Sequence, residues 1–375
     1  MSTTLIHWKI TMHSIRIVGA GSIGNHLAHA ARHRGWKVVL TDIDDAALQR
    51  AQTDIYPGRY GAWDNEIELK DARAAAGDPA DVVFIGTPPD SHVPLALEAL
   101  EKISPQVLLI EKPLGCPDLA GCEMLAKEAE NKNVFCAVGY NHCLGMNTVK
   151  AEQVLASGQI GQLQTITAHT REHWKGIFNA HPWLSGPSDS YLGFSNRGGG
   201  ACGEHSHAIN IWQHFAHAAG AGRVTDVSAT LDQITHDGAD YDQAAYMTLR
   251  TAEGLVGDVV QDVVTSPHEK SARLQGDRGF LEWHVNHTAT SDMIAFGSDS
   301  SPPDQIVLEK TRPDDFIAEI DHLAEIMAGR ITSSPISLER GLETMMVISA
   351  AFRSHALGRR VTIDWDRGYC PEAIN

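Results

Sequence analysis

The chain has 375 residues, enough for two domains with separate cores. Its apolar fraction of 43% and charged fraction of 21% are those of a globular protein, and its net charge of −17 argues against nucleic acid and anionic membrane surfaces, which both need basic patches. No apolar run reaches membrane-spanning length.

The first eleven residues carry one lysine and no signal-peptide core, and Met12 is expected as an alternative start because the first strand begins just after it. A strand predicted at 15–19 runs into Gly19-Ala20-Gly21-Ser22-Ile23-Gly24, and a helix follows over 22–34. Gly19 permits the tight turn out of the strand. Gly21 has no side chain to hold a pyrophosphate away, and Gly24 lets the helix pack close to the sheet. The helix N-terminus, at Ser22 and Ile23, turns free N–H groups and a positive dipole end toward phosphates. The next strand, 37–42, ends at Asp42. A carboxylate there accepts both hydroxyls of an adenosine ribose and repels a 2′-phosphate, so NAD is the expected cofactor.

Helices are predicted over 44–53, 64–76, 92–102 and 117–131, alternating with strands at 82–86, 107–110 and 134–139. Fully apolar strands such as Val82-Val83-Phe84-Ile85 suit a doubly wound parallel sheet, giving a dinucleotide-binding Rossmann domain over 1–140. Ligands bind at the carboxyl ends of such strands. Thr87, Pro88 and His92 lie past one such end, and Glu111, Lys112 and Pro113 past another.

Over 141–375 the pattern changes to an α+β domain. Alternating stretches at 163–169, 224–231, 246–250 and 257–263 read as an antiparallel or mixed sheet with one more polar face. Helices are expected at 316–327 and 338–351. The glycine- and serine-rich segment 186–203 reads as a long functional loop. Glu204 and His207 are expected to open one helix running to about 219, three residues apart on a shared face. The six cysteines, at 116, 122, 136, 143, 202 and 370, form no C-x-x-C pair, which fits free thiols in a reducing cytoplasm.

Three motifs in this order resemble the glucose–fructose oxidoreductase / inositol dehydrogenase (Gfo/Idh/MocA) family. They are Gly19 to Gly24, then Thr87-Pro88 before Glu111-Lys112-Pro113-Leu114, then Gly198-Gly199-Gly200 before an acid and a histidine; Gly139-Tyr140-Asn141 is similar as well. The resemblance implies a nucleotide domain plus an open-faced sheet domain, assembled as homodimers or homotetramers. It also implies oxidation or reduction of a hydroxyl on a sugar, cyclitol or related small molecule. Pro113 following a cis bond is part of what the family implies. The family's common pattern places an Asp four residues before the His, whereas here a Glu stands three before it. The form Glu204-His205-Ser206-His207 resembles a branch found in surface-sugar pathways.

Moving a hydride from an alcohol also requires removing the hydroxyl proton. Lys112 is expected to polarise the oxygen. His207 is expected to take the proton, with Glu204 holding or charging it and His205 as competitor. Trp174, Trp183, Tyr191, Arg197 and Asn141 are candidate substrate contacts, with Lys175 and His181 nearby in the loop. A metal site on His205, His207, His214 and His217 is weighed and set aside, because His205 and His207 diverge and neither H-E-x-x-H nor a cysteine at ligand spacing is present. The alternatives to a dehydrogenase are an NAD-dependent glycoside hydrolase using transient oxidation and a non-catalytic NAD-binding sensor.

Overall fold

The computed structural model describes residues 12–181, 183–300 and 302–375. The expected start at Met12 turns on residues 1–11, which lie outside the described residues. Two sheets organise the chain. The first has six parallel strands: β1 Ser14–Val18, β2 Lys37–Asp42, β3 Ile67–Asp71, β4 Val82–Ile85, β5 Val107–Ile110 and β6 Phe135–Val138. Their order is β3-β2-β1-β4-β5-β6, so the direction of winding switches between β1 and β4. β4 and β5 are buried at every position, as expected for strands covered on both faces.

One predicted helix is corrected. Residues 64–76 hold β3 and then turns, because Ile67 and Leu69 alternate with Glu68 and Lys70 and pair in register with Val38 and Leu40. The alanine-rich stretch that suggested a helix forms only the turns. The helix predicted at 117–131 begins later, at Cys122, after Gly121 takes a φ of +76°.

The second sheet has nine strands: β7 Leu163–Arg171, β8 Val224–His236, β9 Ala239–Thr251, β10 Val256–Asp262, β11 Glu269–Gly276, β12 Phe280–Thr288, β13 Ser291–Gly297, β14 Asp304–Glu309 and β15 Val361–Thr362. Their order is β14-β13-β12-β11-β7-β10-β9-β8-β15. β7 and β10 run parallel and the other neighbours antiparallel. Helices Met146–Ala156, His207–Ala218 and Leu338–Leu357 cover one face, around the fully buried Trp212 and Trp283. The other face carries polar side chains such as Thr167, His169 and Arg171 of β7.

The last third of the chain returns to the first sheet. Helix Arg312–Met327 starts in a Thr311/Asp314 capping box and packs on helix Ser22–His33. Helix Leu338–Leu357 packs on both β6 and β8, and the Val138 N–H donates to the Ile336 carbonyl at 2.8 Å. Among the described residues no helix is long and apolar enough to cross a membrane, and all six cysteines are free.

Candidate active site

The carboxyl ends of β1, β4 and β5 gather Gly19–Gly24, Gly86–Ser91 and Glu111–Pro113 at one edge. A cleft of about 930 Å³ opens there, lined by Gly19, Gly21, Asp42, Thr87, Pro88 and Ser91 among others. The three glycines are needed for different reasons. Gly19 sits at φ +110°, and a Cβ on it would lie 2.6 Å from the Gly86 carbonyl oxygen. A Cβ on Gly24 would run into the Gly19 carbonyl. A Cβ on Gly21 would meet no atom within 4 Å apart from its chain neighbours and would stand in open space. Asp42 is fixed at the cleft edge, its carboxylate accepting from the Ala20 N–H at 2.9 Å and the Asp44 N–H at 3.0 Å.

Lys112 leaves the end of β5, with a cis bond to Pro113, and reaches across to the second domain. Its Nζ donates to the main-chain carbonyl of Glu204 at 2.9 Å and lies 3.2 Å from the same residue's carboxylate. The Tyr191 hydroxyl donates to that carboxylate at 3.3 Å. An ammonium has three protons, and with one hydrogen bond made to the Glu204 carbonyl it keeps donor capacity beyond the ion pair. Behind Lys112, burial pushes the Glu111 carboxyl up to about 7, Lys112 opposing and Glu204 adding to the rise. Gly139 makes room for it, since a Cβ there would be 2.5 Å from Glu111 Oε2.

The shared helix expected for Glu204 and His207 is corrected. Glu204 ends a short helix, Gly200–Glu204, and His207 begins a second, His207–Ala218, with a break at His205 and Ser206. The break follows from the glycine turn, where Gly198 and Gly200 both take positive φ and the short helix is spent before position 205. Glu204 therefore meets Lys112 and Tyr191, and among the described residues it forms no hydrogen bond or ion pair with His207.

His207 stacks on His142, with ring centroids 4.1 Å apart, and meets Tyr140 edge-on at 5.5 Å. Its Nδ1 is buried without a hydrogen-bond partner. Burial, then His142, Lys112 and Lys270, hold the His207 imidazole well below the usual histidine range, so it is neutral at neutral pH and able to accept a proton. His205, the competitor, is buried, with Nε2 3.3 Å from the Glu172 carbonyl; burial pulls it down to about 4. Lys270 of β11 pairs with Glu172 at 2.7 Å on the same side of the cleft. His142, Lys270 and Glu172 are residues that the sequence reading did not single out. His142 was open to discovery, because it follows Asn141 at the carboxyl end of β6. Lys270 lies in β11, whose sequence carries no motif that marks it as part of a site.

A buried carboxyl holds the glycine turn. Asp242 of β9 is fully buried, accepting from the Ser195 hydroxyl at 2.6 Å and the Cys202 N–H at 2.7 Å. A Cβ on Gly200 would collide with it. Burial pushes Asp242 up to about 7. Asp242→Ala should orphan both donors, at roughly 1–3 kcal/mol each, and slacken the turn that carries Glu204. The expected result is a lower denaturant midpoint together with lower turnover and unchanged dinucleotide affinity; an unchanged midpoint would count against it.

The remaining expected residues are placed as follows. Asn141 opens the turn Asn141–Leu144 beside His142. Trp174 departs from a substrate contact: its ring is buried in a small cluster with Leu192, Ala201 and Val263. Arg197 is taken by Asp90 at 2.7 Å, tying the second domain to the loop after β4. Trp183 lines the nucleotide cleft. His92 departs from a direct cofactor contact: it is fully buried, its ring nitrogens 2.9 Å from the Pro113 carbonyl and 2.6 Å from the Thr87 carbonyl, so it joins the two loops from beneath. His214 pairs with Glu152 and His217 with Glu343, and among the described residues no group of three His, Cys, Asp or Glu side chains is arranged to hold a metal.

Comparison with known proteins agrees with this architecture. Residues 14–140 match the oxidoreductase family's NAD-binding Rossmann fold, and residues 148–282 match the GFO/IDH/MocA C-terminal domain. Inositol 2-dehydrogenase 4 of Saccharopolyspora erythraea is 24% identical over 148 residues, which is 40% of this chain and 42% of that protein; the match thus spans about two fifths of its length. Levoglucosan dehydrogenase in complex with NADH and levoglucosan superimposes with a TM-score of 0.75 at 20% identity, covering 93% of this chain and 98% of that one. Aldose-aldose oxidoreductase from Caulobacter crescentus gives 0.73 at 18%, covering 94% and 100%, and an oxidoreductase domain protein from Kribbella flavida gives 0.75 at 19%, covering 94% and 99%. With both halves matched in order, the chain belongs to the Gfo/Idh/MocA oxidoreductase family, and residues 14–140 are its NAD-binding Rossmann domain.

Proposed function

We propose that the protein is an NAD-dependent dehydrogenase that moves a hydride between nicotinamide and a secondary hydroxyl or ketone of a carbohydrate-like molecule. A sugar, nucleotide-sugar, sugar acid or cyclitol fits this reading. The observation that carries it is Lys112, from the end of β5, held by Glu204 of the second domain three residues before His207, whose ring stacks on His142. When bound, the cofactor accepts or returns the hydride. Lys112 donates a hydrogen bond to the substrate oxygen and stabilises the negative charge that develops there. His207 takes the hydroxyl proton during oxidation and returns it during reduction. Glu204 is a positioning residue for Lys112. Tyr191 and Asn141 border the substrate space. Incubation with NAD and a panel of sugars, nucleotide-sugars, sugar acids and cyclitols, followed at the NADH absorbance, tests the proposal. Turnover without net NADH would favour the hydrolase reading, and NAD binding without turnover on any member the sensor reading.

NAD should bind more tightly than NADP. Asp42 lines the cleft, and the following Ile43-Asp44-Asp45 offers no cation to a 2′-phosphate. Asp42→Ala should narrow the gap between the two dinucleotides, as measured by parallel fluorescence titrations; tighter NADP binding to the unmodified protein would sink the idea.

Self-association, as a dimer or tetramer, is the expected state. The helices that pack on the nine-stranded sheet leave its polar face uncovered, and the edges of such a sheet favour partners. Light scattering at micromolar concentration tests this against a monomer of 40.7 kDa. The free thiols fit a reducing cytoplasmic setting for the same enzyme.

A further inference from the structure

The chain is strongly acidic, yet two guanidiniums that form no ion pair among the described residues lie at one place in it, although Asp314 and Asp315 share the first turn of the helix that Arg312 opens. Arg59, from the segment Tyr56–Tyr60, reaches along helix Ser22–His33 to the first residue of that helix. Its Nη1 donates to the Ser22 carbonyl at 2.8 Å and its Nη2 to the Ser22 hydroxyl oxygen at 2.7 Å. Arg312 opens helix Arg312–Met327, which packs on the same helix. Among the described residues neither guanidinium has a carboxylate within ion-pair distance, and the first turn of Ser22–His33 contains no acid.

This is the wrong sign for a helix N-terminus, where the dipole already presents partial positive charge and favours anions. The guanidiniums also feel each other. Burial, against the opposing influence of Tyr60, and then Arg312 push Arg59 below its ordinary value. Burial, then Arg59 and Arg312, hold the neighbouring His26 down to about 3. Helix Arg312–Met327 also packs on the turn Asn141–Leu144, and the field of Arg312 extends to Glu111 and His142. A cluster of this sign calls for an anion. The donors agree: because the Ser22 oxygen accepts from Arg59, its own proton is free to be donated outward, beside the helix N–H groups that lack intrahelical partners.

We propose that Arg59, with Arg312 from the second domain, binds the diphosphate of the dinucleotide, and that Arg59 also sets the Ser22 hydroxyl as a donor to it. The inference rests on the dinucleotide reading above and adds to it two arginines outside the glycine motif. It also makes the cofactor a bridge between the domains, since its diphosphate meets one guanidinium from each side.

Calorimetric titration of the full-length protein with NAD, ADP-ribose and adenosine tests it. Arg59→Met and Arg312→Met should each weaken NAD and ADP-ribose by roughly 10- to 100-fold, as expected for charge-assisted hydrogen bonds, and leave adenosine unchanged. Arg59→Lys should recover part of the loss, and the deficit should shrink at high salt. Melting temperatures confirm that the variants fold; if Arg59→Met does not, Arg59→Lys and Arg312→Met carry the test. Unchanged NAD and ADP-ribose affinity in folded variants overturns the assignment. A loss confined to substrate KM at saturating NAD also overturns it, because the anion would then belong to the substrate. Unmodified protein that binds neither NAD nor ADP-ribose overturns the dinucleotide reading itself, an outcome distinct from both.

Discussion

Lys112→Met is expected to lower turnover by about 10²–10⁴-fold while leaving NAD affinity unchanged, the effect of removing one positioned electrostatic group. The side chain is 12% exposed, and its two bonds to Glu204 fix the ammonium in one place. Methionine keeps the length and the apolar stem but abolishes the charge. It also leaves the Glu204 carboxylate, 17% exposed, with the Tyr191 hydroxyl as its one hydrogen-bond partner among the described residues. Part of the damage should therefore be relieved by adding Glu204→Gln, which removes the stranded charge. Steady-state rates on the true substrate, together with a fluorescence titration of NAD, give both readouts. Near-normal turnover in Lys112→Met would falsify the role and leave the motif as architecture.

His207→Gln should fall by a similar factor, and the pair Lys112→Met/His207→Gln should be far from additive, because both groups serve one proton transfer. The pH profile adds a sign. A base works unprotonated, and burial together with His142, Lys112 and Lys270 disfavours the His207 imidazolium. Oxidation should hold its rate from neutral pH upward. It should fall on acidification only below the ordinary histidine range near 6.5. Reduction needs the same group protonated and should gain in the same acid interval. The limb should disappear in His207→Gln. If an acid limb at the same pH survives in that variant, the proton belongs elsewhere, with His142 the first candidate because it shares the stack.

Much of the first domain could be read from the chain because its signals are local. A strand, a glycine turn and a helix follow one another in sequence, and the strand-end rule places Asp42, Thr87 and Lys112 at one edge without knowledge of the rest. β3 was misread because a short alternation lay before an alanine-rich stretch, and its partner β2 decides the matter from outside the window. In the second domain the helices after residue 200 were legible from their apolar stripe. The break at His205–Ser206 was not, because it depends on Asp242, some forty residues on, packing against Gly200. Trp174 and Arg197 illustrate the same limit. An aromatic and a cation in a loop look alike whether they face a ligand, a core or a carboxylate, and Asp90 settles the second case from the other domain. Lys270 and Arg59 carry no motif at all and are recognisable only from what surrounds them.

The tie between Lys112 and residue 204 has a consequence for how such sites diverge. One of its two bonds ends on a peptide oxygen, which every amino acid supplies. The position of the ammonium is thus partly encoded in the path of the backbone rather than in the letter written at that site. Glu204 can be exchanged, or the acid can drift by a residue along the turn, while the lysine keeps half of its tether. A search that demands a particular acid at a particular distance from the histidine will pass over chains built this way, whereas one that asks where the carbonyl points will find them.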